Sequence, residues 1–238
     1  MTRQLELGDI TVDVVLKDIK NVHLSVHPPT GRVRIAAPKR MALDAIRVFA
    51  ISKLSWIRQQ RTKLREQDRE SPREYLDRES HYVWGRRYLL TVSEVHAAPF
   101  IELENSRMLL RVRPGTDQRK RHALVEDWYR EQIKKAVPPL LARWQLLMDV
   151  RVERFFVQRM KTKWGSCNHK GRAIRLNTEL AKKPPECLEY IVVHELAHLL
   201  EPTHNARFTG YMDQFMAGWR LSRDELNRAP LAEENWRY

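Results

Sequence analysis

The stretch His194-Glu195-Leu196-Ala197-His198, followed by Leu199-Leu200-Glu201-Pro202-Thr203-His204, decides how the chain is read. His194 and His198 are four apart, which on a helix stacks both imidazoles on one face, one turn from each other. Glu195 projects about a quarter-turn away. That sets a carboxylate beside whatever the two rings hold without making it a ligand. Two neutral imidazoles, a third ligand and one open position is how catalytic zinc is bound. H-E-x-x-H on a helix is the sequence signature of that arrangement. His204, ten residues after His194, offers the third ligand. Pro202 predicts a helix end near Leu200. Thr203 is then the expected N-cap of a second helix, with His204 in its first turn. With nine His in 238 residues, a chance H-E-x-x-H is roughly a few per cent probable, and a His at the tenth position lowers this to roughly one in a thousand.

Outward from that stretch, the apolar run Leu188 to Val193 can bury the helix, and Pro184-Pro185 precedes it, with Pro185 suited to a first turn. Ala173 to Asn177 reads as a strand. Placed directly before the helix, it is expected to offer a sheet edge to an extended peptide. Val150 to Phe156 reads as another strand, and Arg159 to Gly171 as a turn-rich connector. From Gln118 to Met148 the apolar period is helical, and Pro138-Pro139 is expected to kink or split it. Arg119-Lys120-Arg121 reads as a solvated helix end.

Upstream, Ile10 to Val15 and His23 to Ile35 alternate as a small antiparallel sheet, with a turn at Pro28-Pro29-Thr30-Gly31 and an end at Pro38. Ala42 to Arg65 has a helical period. His81 to Val92 looks like a hairpin around Gly85. Phe100 to Leu103 and Met108 to Val112 fit two further strands, and Pro114-Gly115 ends that unit. No internal repeat and no low-complexity segment is visible. The fold class expected is α+β: a β-rich N-terminal half with one helix over residues 1–115, then a mainly helical domain with a small sheet over 116–238, or one continuous compact unit.

Composition bounds the partners. A hydrophobic fraction of 42% supports a real core. No apolar run approaches a membrane span, and the N-terminus lacks a signal-peptide core, so a cytoplasmic protein that does not enter the membrane is expected. Cys167 and Cys187 make no C-x-x-C pair and no disulfide framework; both fit small buried side chains. Lys and Arg number 43 against 30 acidic residues, a net charge of +13, with an isoelectric point near 10. Such a charge favours acidic partners, nucleic acid above all. Nothing in the chain specifies an oligomeric state.

The segments Arg159 to Cys167 (R-M-K-T-K-W-G-S-C) and His194 to Phe208 (H-E-L-A-H-L-L-E-P-T-H-N-A-R-F) together closely resemble the YgjP-like zinc metallopeptidase family, long described as domain of unknown function 45. In its zinc motif that family is related to the SprT and WLM groups, which are minigluzincin-like. The resemblance is specific from about Val150 to Leu226. It implies a zincin-like domain and a zinc-dependent peptidase acting on peptides or proteins. His194, His198 and His204 would hold Zn2+, and Glu195 would be the catalytic acid/base. Asn205 stands where the family often has Ser, and Thr209 where Trp often follows the Phe. Glu201 stands where the metzincins require Gly, which excludes that group.

The resemblance also marks Trp164-Gly165-Ser166-Cys167, read from its residues as a tight turn, as a loop that would line the cleft. Its backbone N–H groups or Lys163 would then meet a developing oxyanion. Arg207 and Tyr211 are further oxyanion candidates, and Asp213 is a candidate to orient a ligand imidazole. The rival reading is a nucleic-acid-associated module with a structural zinc, or a protease acting on DNA-bound proteins. Three histidines with a neighbouring Glu favour catalysis, since closed structural sites mostly use four ligands and Cys.

Overall fold

A computed structural model describes residues 2–27, 30–66, 74–160 and 163–228. They form six helices and three small sheets, an α+β fold. The chain divides into two compact units whose described residues run over 2–66 and 74–228. The division therefore falls near residue 70 rather than near 115. The cause is burial: Val83, Leu90, Met108 and Leu110 of the second sheet share one core with Val125, Tyr129 and Ile133 of the long helix that follows.

The first unit contains β1 (Thr2–Leu7), β2 (Ile10–Lys17), β3 (His23–His27) and β4 (Arg32–Pro38), in the order β1-β2-β4-β3. The sheet is mixed rather than antiparallel, because β3 folds back on β4 and leaves β4 parallel to β2. Gly31, at φ +70, serves the β3–β4 turn; residues 28 and 29 of the expected turn lie outside the described residues. Leu5 and Leu7 face inward with Ile10, Val12, Val33 and Ile35, so the strand β1, which the sequence pattern does not announce, has an apolar face of its own. The expected single helix is two, α1 (Leu43–Ser52) and α2 (Leu54–Glu66), which bury Ile46, Ala50 and Ile57 against that face.

The second unit opens with β5 (Ser80–Val83), β6 (Arg86–Glu94), β7 (Phe100–Glu104) and β8 (Arg107–Val112), in the order β5-β6-β8-β7. Here too the outer pairs are antiparallel and the central pair is parallel. The topology of the first sheet is thus repeated strand for strand, although no repeat is visible in the residues. Trp84 and Gly85, both at positive φ, make the two-residue turn that a twisted hairpin requires.

The helix α3 (Gln118–Met148) runs for 31 residues straight through Pro138 and Pro139. The expected split does not occur. The two missing N–H groups free the carbonyls of Lys134 and Lys135, and all four residues lie on the exposed face, where water can satisfy them. On the inner face Ile133, Val137, Leu141 and Trp144 hold the helix to the core.

A third sheet contains β9 (Arg154–Gln158), β10 (Gly165–Asn168) and β11 (Ala173–Asn177), in the order β10-β11-β9. The strand expected over 150–156 starts later, at Arg154. A strand, β10, lies inside the stretch expected to be a connector. As a result β11 is central, and the edge near the histidines is β10. A 3-10 turn at Thr178–Lys182 leads into α4 (Pro185–Leu200), followed by α5 (Ala206–Phe215) and α6 (Trp219–Arg228). Among the described residues no helix is long and apolar enough to cross a membrane.

Candidate active site

The helix α4 is held firmly at its start. Pro185 occupies its first turn, and Pro184 packs on Gly85, where an added Cβ would come within 3.0 Å of the proline Cγ. Trp84 N–H donates to the Ala181 carbonyl at 2.8 Å, so the β5–β6 turn is tied to the segment feeding α4. Cys187, Leu188, Ile191, Val192, Val193, Leu196 and Ala197 are all buried. That leaves one stripe, His194 and His198, partly open.

The turn after α4 brings back the third imidazole. The Glu201 carboxylate accepts from Thr203 N–H at 3.2 Å and from its hydroxyl at 2.9 Å. The Thr203 hydroxyl also accepts from Asn205 Nδ2 at 3.1 Å. With Thr203 so engaged, the N-cap of α5 is Asn205, whose side chain accepts from Phe208 N–H at 3.0 Å. His204 therefore precedes the helix instead of lying in its first turn. Its Nε2 sits 3.0 Å from His194 Nε2, and one nitrogen from each of His194, His198 and His204 lies within 4.8 Å of the others.

This donor set fits a divalent metal. Three ligands on one tetrahedral zinc stand about 3.3 Å apart, close to the separation seen between His194 and His204. Burial, with the neighbouring His198 and His204, holds His194 down to about 3, and burial is also the main cause lowering His198. Both rings are neutral in ordinary buffers, as ligation requires. His198 Nδ1 lies 3.2 Å from the Glu201 carbonyl, which favours a proton on that nitrogen and a lone pair on Nε2. His194 Nδ1 is buried without such a partner among the described residues. The Phe208 ring packs against all three imidazoles, with centroids 4.7 to 4.9 Å away.

Glu195 is 4% exposed, and its Oε2 has no hydrogen-bond partner among the described residues. Burial pushes its carboxyl up to about 8, against a lowering by Lys163. A buried carboxylate left unpaired beside three convergent imidazoles is costly to fold and is the kind of group that active sites retain.

Comparison with known proteins adds the family. A model of the YgjP-like metallopeptidase domain matches residues 20–229. The chain belongs to the YgjP-like metallopeptidase family. It is a peptidase, a hydrolase whose substrates are peptides or proteins. Among solved structures it is similar to the metallopeptidase zymogen abylysin of Pyrococcus abyssi, at 22% identity and TM-score 0.35, over 38% of this chain and 90% of that one. It is also similar to the zymogen jannalysin of Methanocaldococcus jannaschii, at 25% identity and TM-score 0.31, over 40% and 90%. No match was found among curated proteins.

The other YgjP-like motif, Trp164 to Cys167, lies across the same cleft, which encloses about 490 Å³. Gly165 begins β10 rather than a tight turn. A Cβ there would lie 2.5 Å from Glu195 Oε1 and 2.8 Å from Ile191 Cγ2, so only glycine lets the strand cross above the carboxylate. Asn177 holds this segment: its Nδ2 donates to the Lys163 and Met160 carbonyls at 2.8 Å each, and its N–H donates to the Trp164 carbonyl at 2.9 Å. Lys163 and Trp164 line the cleft.

The downstream candidates are placed elsewhere. Arg207 donates to the Tyr211 hydroxyl at 3.1 and 3.2 Å, and neither side chain lines the cleft. Asp213 accepts from Trp219 Nε1 at 2.8 Å and pairs with Arg220, so it braces α6 against α5 and orients no imidazole. Tyr190, Ile191, Arg223 and Leu226 do line the cleft, and residue spacing alone does not reveal them. Phe208 carries a faint signal, four residues after His204.

Proposed function

We propose that the protein is a zinc peptidase in which His194, His198 and His204 hold the metal and Glu195 moves the proton. The observation that carries the reading is the pairing of three convergent imidazole nitrogens with a buried, unpartnered carboxylate one residue from the first of them. When bound there, zinc supplies a Lewis acid for the scissile carbonyl, acidifies a coordinated water and favours the ionised form of the neighbouring Glu195. Glu195 accepts the proton of the attacking water and passes it to the leaving amine. Lys163, set on the rim by Asn177, adds positive charge on the side where an oxyanion develops.

The free edge of β10 supports a mode of substrate binding. β11 is paired on both sides, whereas among the described residues β10 pairs only with β11. An extended peptide adding to β10 would pass directly over Glu195, beside which Gly165 already lies. The test is metal analysis with a mixed-peptide cleavage assay. Wild type should copurify with zinc and cleave in a chelator-sensitive manner. Glu195→Gln should keep zinc and lose at least about 100-fold in rate, whereas His194→Ala should lose both. Full activity in Glu195→Gln would remove the assignment.

A second reading, contact with nucleic acid, is favoured by one face of the β5–β8 sheet. Tyr82 stands opposite Arg87 and Phe100 opposite Arg111, and both aromatics are exposed. Aromatic and arginine side chains on an open sheet suit stacked bases and phosphates. A salt-dependent gel shift with bare DNA and RNA, abolished in Tyr82→Ala/Phe100→Ala, would support it.

A further inference from the structure

The cleft continues along α4 one turn N-terminal of His194, to a corner the catalytic reading does not use. Tyr190 forms its floor. That residue is 5% exposed, its ring meets His194 edge-on at 5.8 Å and stacks on Trp219 at 6.1 Å. Trp219 is fixed in turn by its bond to Asp213. The phenol is therefore rigidly placed, and it lines the cleft. A hydroxyl carried on a fixed ring at the wall of a cleft is a donor available to whatever enters it.

Arg223 of α6 lines the same corner. Its Nε and Nη2 donate to Asp224 Oδ1 at 3.2 Å each, and its guanidinium lies 5.0 Å over the Trp219 ring. Nε and Nη2 are thus engaged, and Nη1 has no acceptor among the described residues. Asp224 does not line the cleft; among the lining residues Glu195 is the sole carboxylate, and Lys163 and Arg223 are the fixed cations. Ile191 and Leu226 supply apolar walls. Burial raises the Tyr190 hydroxyl, Arg223 acts against that rise, and Glu195 and Asp224 add smaller rises, so Arg223 is the largest charge felt at the phenol.

We propose that Tyr190 and Arg223 form a specificity subsite for a carboxylate side chain, so that peptides with Glu or Asp close to the scissile bond are the preferred substrates. The proposal rests on the peptidase reading for its meaning but not for its test. A carboxylate only accepts hydrogen bonds and takes both donors, one of them charged. Gln at the same place would keep the shape and lose the charge assistance, and Lys would be repelled. The methylenes of Glu would lie between Ile191 and Leu226.

The experiment uses full-length Glu195→Gln protein with added zinc, and blocked hexapeptides of one apolar scaffold carrying Glu, Gln or Lys at each position in turn. Calorimetry should show one position at which Glu binds about 10-fold more tightly than Gln. In the Tyr190→Phe background that ratio should fall to roughly 3, in Arg223→Gln to about 1, and in Arg223→Glu it should invert in favour of Lys. Circular dichroism checks folding, and Arg223, being exposed, can be changed without touching the core. Absence of a Glu preference at every position, or a preference unchanged in both variants, overturns the subsite. The same peptides given to wild type with zinc read cleavage separately. Acid-selective binding without cleavage keeps the subsite and removes the peptidase reading; cleavage without acid selection does the reverse.

Discussion

At the residue scale the site is decided by close approaches that only particular side chains allow. Gly165 is the sharpest case. A methyl group at this position cannot coexist with Glu195 Oε1 at 2.5 Å and Ile191 Cγ2 at 2.8 Å. Either β10 lifts or the carboxylate swings. With Glu195 in its proposed role of proton carrier and not ligand, Gly165→Ala should keep its metal and lose about 100-fold in kcat/KM, the scale of loss expected from a misplacement near 1 Å. Metal content and peptide cleavage, measured on one preparation, check both halves. Cys167, two residues on, shows the opposite use of the same surroundings. Burial and the nearby Glu195 push its thiol up to about 11. At pH 8 roughly one part in a thousand is then thiolate, which disfavours a nucleophilic role. Iodoacetamide should leave Cys167 unmodified at pH 8 and label it only as the pH nears 11, and Cys167→Ser should retain peptidase activity.

At the element scale, the order of α4, turn and α5 is legible in the residues, because the i, i+4 spacing of His194 and His198 and the break at Pro202 are local facts. The cap of α5 is not. Thr203 and Asn205 are both competent caps, and what selects Asn205 is the engagement of Thr203 by Glu201, a choice made in three dimensions. The strand β10 escapes for a similar reason: Gly165-Ser166-Cys167-Asn168 has weak β propensity, and its pairing with β11 sets it. Likewise Tyr190 and Arg223 come to line one cleft only once α6 has folded back on α4. The segment joining β11 to α4 carries a buried pair, Lys182 Nζ donating to both Glu179 oxygens at 2.7 and 2.8 Å. Burial pushes Glu179 up, but Lys182, with Arg159 and Lys183, outweighs it and holds the carboxyl below its ordinary value. A depressed folded-state value means stabilisation that is complete above the unfolded value, near 4.5, and is lost as the pH falls through the lower folded one. Glu179→Gln leaves Lys182 buried without its anion and should destabilise the fold by about 3–5 kcal/mol, whereas replacing both residues with Met should cost much less. Urea melts of the three proteins at pH 7 and pH 3 test this: the gap between wild type and Glu179→Gln should narrow at the lower pH.

At the scale of the whole molecule, the proposed metal centre belongs to one self-contained core. The large buried apolar residues behind the histidines, from Tyr75 to Leu226, fall in a single cluster, while Leu5, Val12, Ile35, Ile46 and Ile57 belong to a separate one. The strands β5 to β8 are part of the first cluster through Leu90, Met108 and Leu110. They also anchor α4, through Trp84 N–H on the Ala181 carbonyl and Gly85 beneath Pro184. A fragment covering residues 71–229 should therefore fold in one cooperative transition and keep the zinc affinity proposed for the whole chain, since each buried apolar side chain near the site keeps its neighbours. A fragment covering 116–238 should not, because it exposes Val125, Tyr129, Ile133 and Val137 where the second sheet had covered them, and unties α4 at its first turn. Calorimetric melting and zinc titration of the two fragments decide between these outcomes. A fragment 116–238 that melted cooperatively with bound zinc would show that the sheet of β5 to β8 is dispensable to the site.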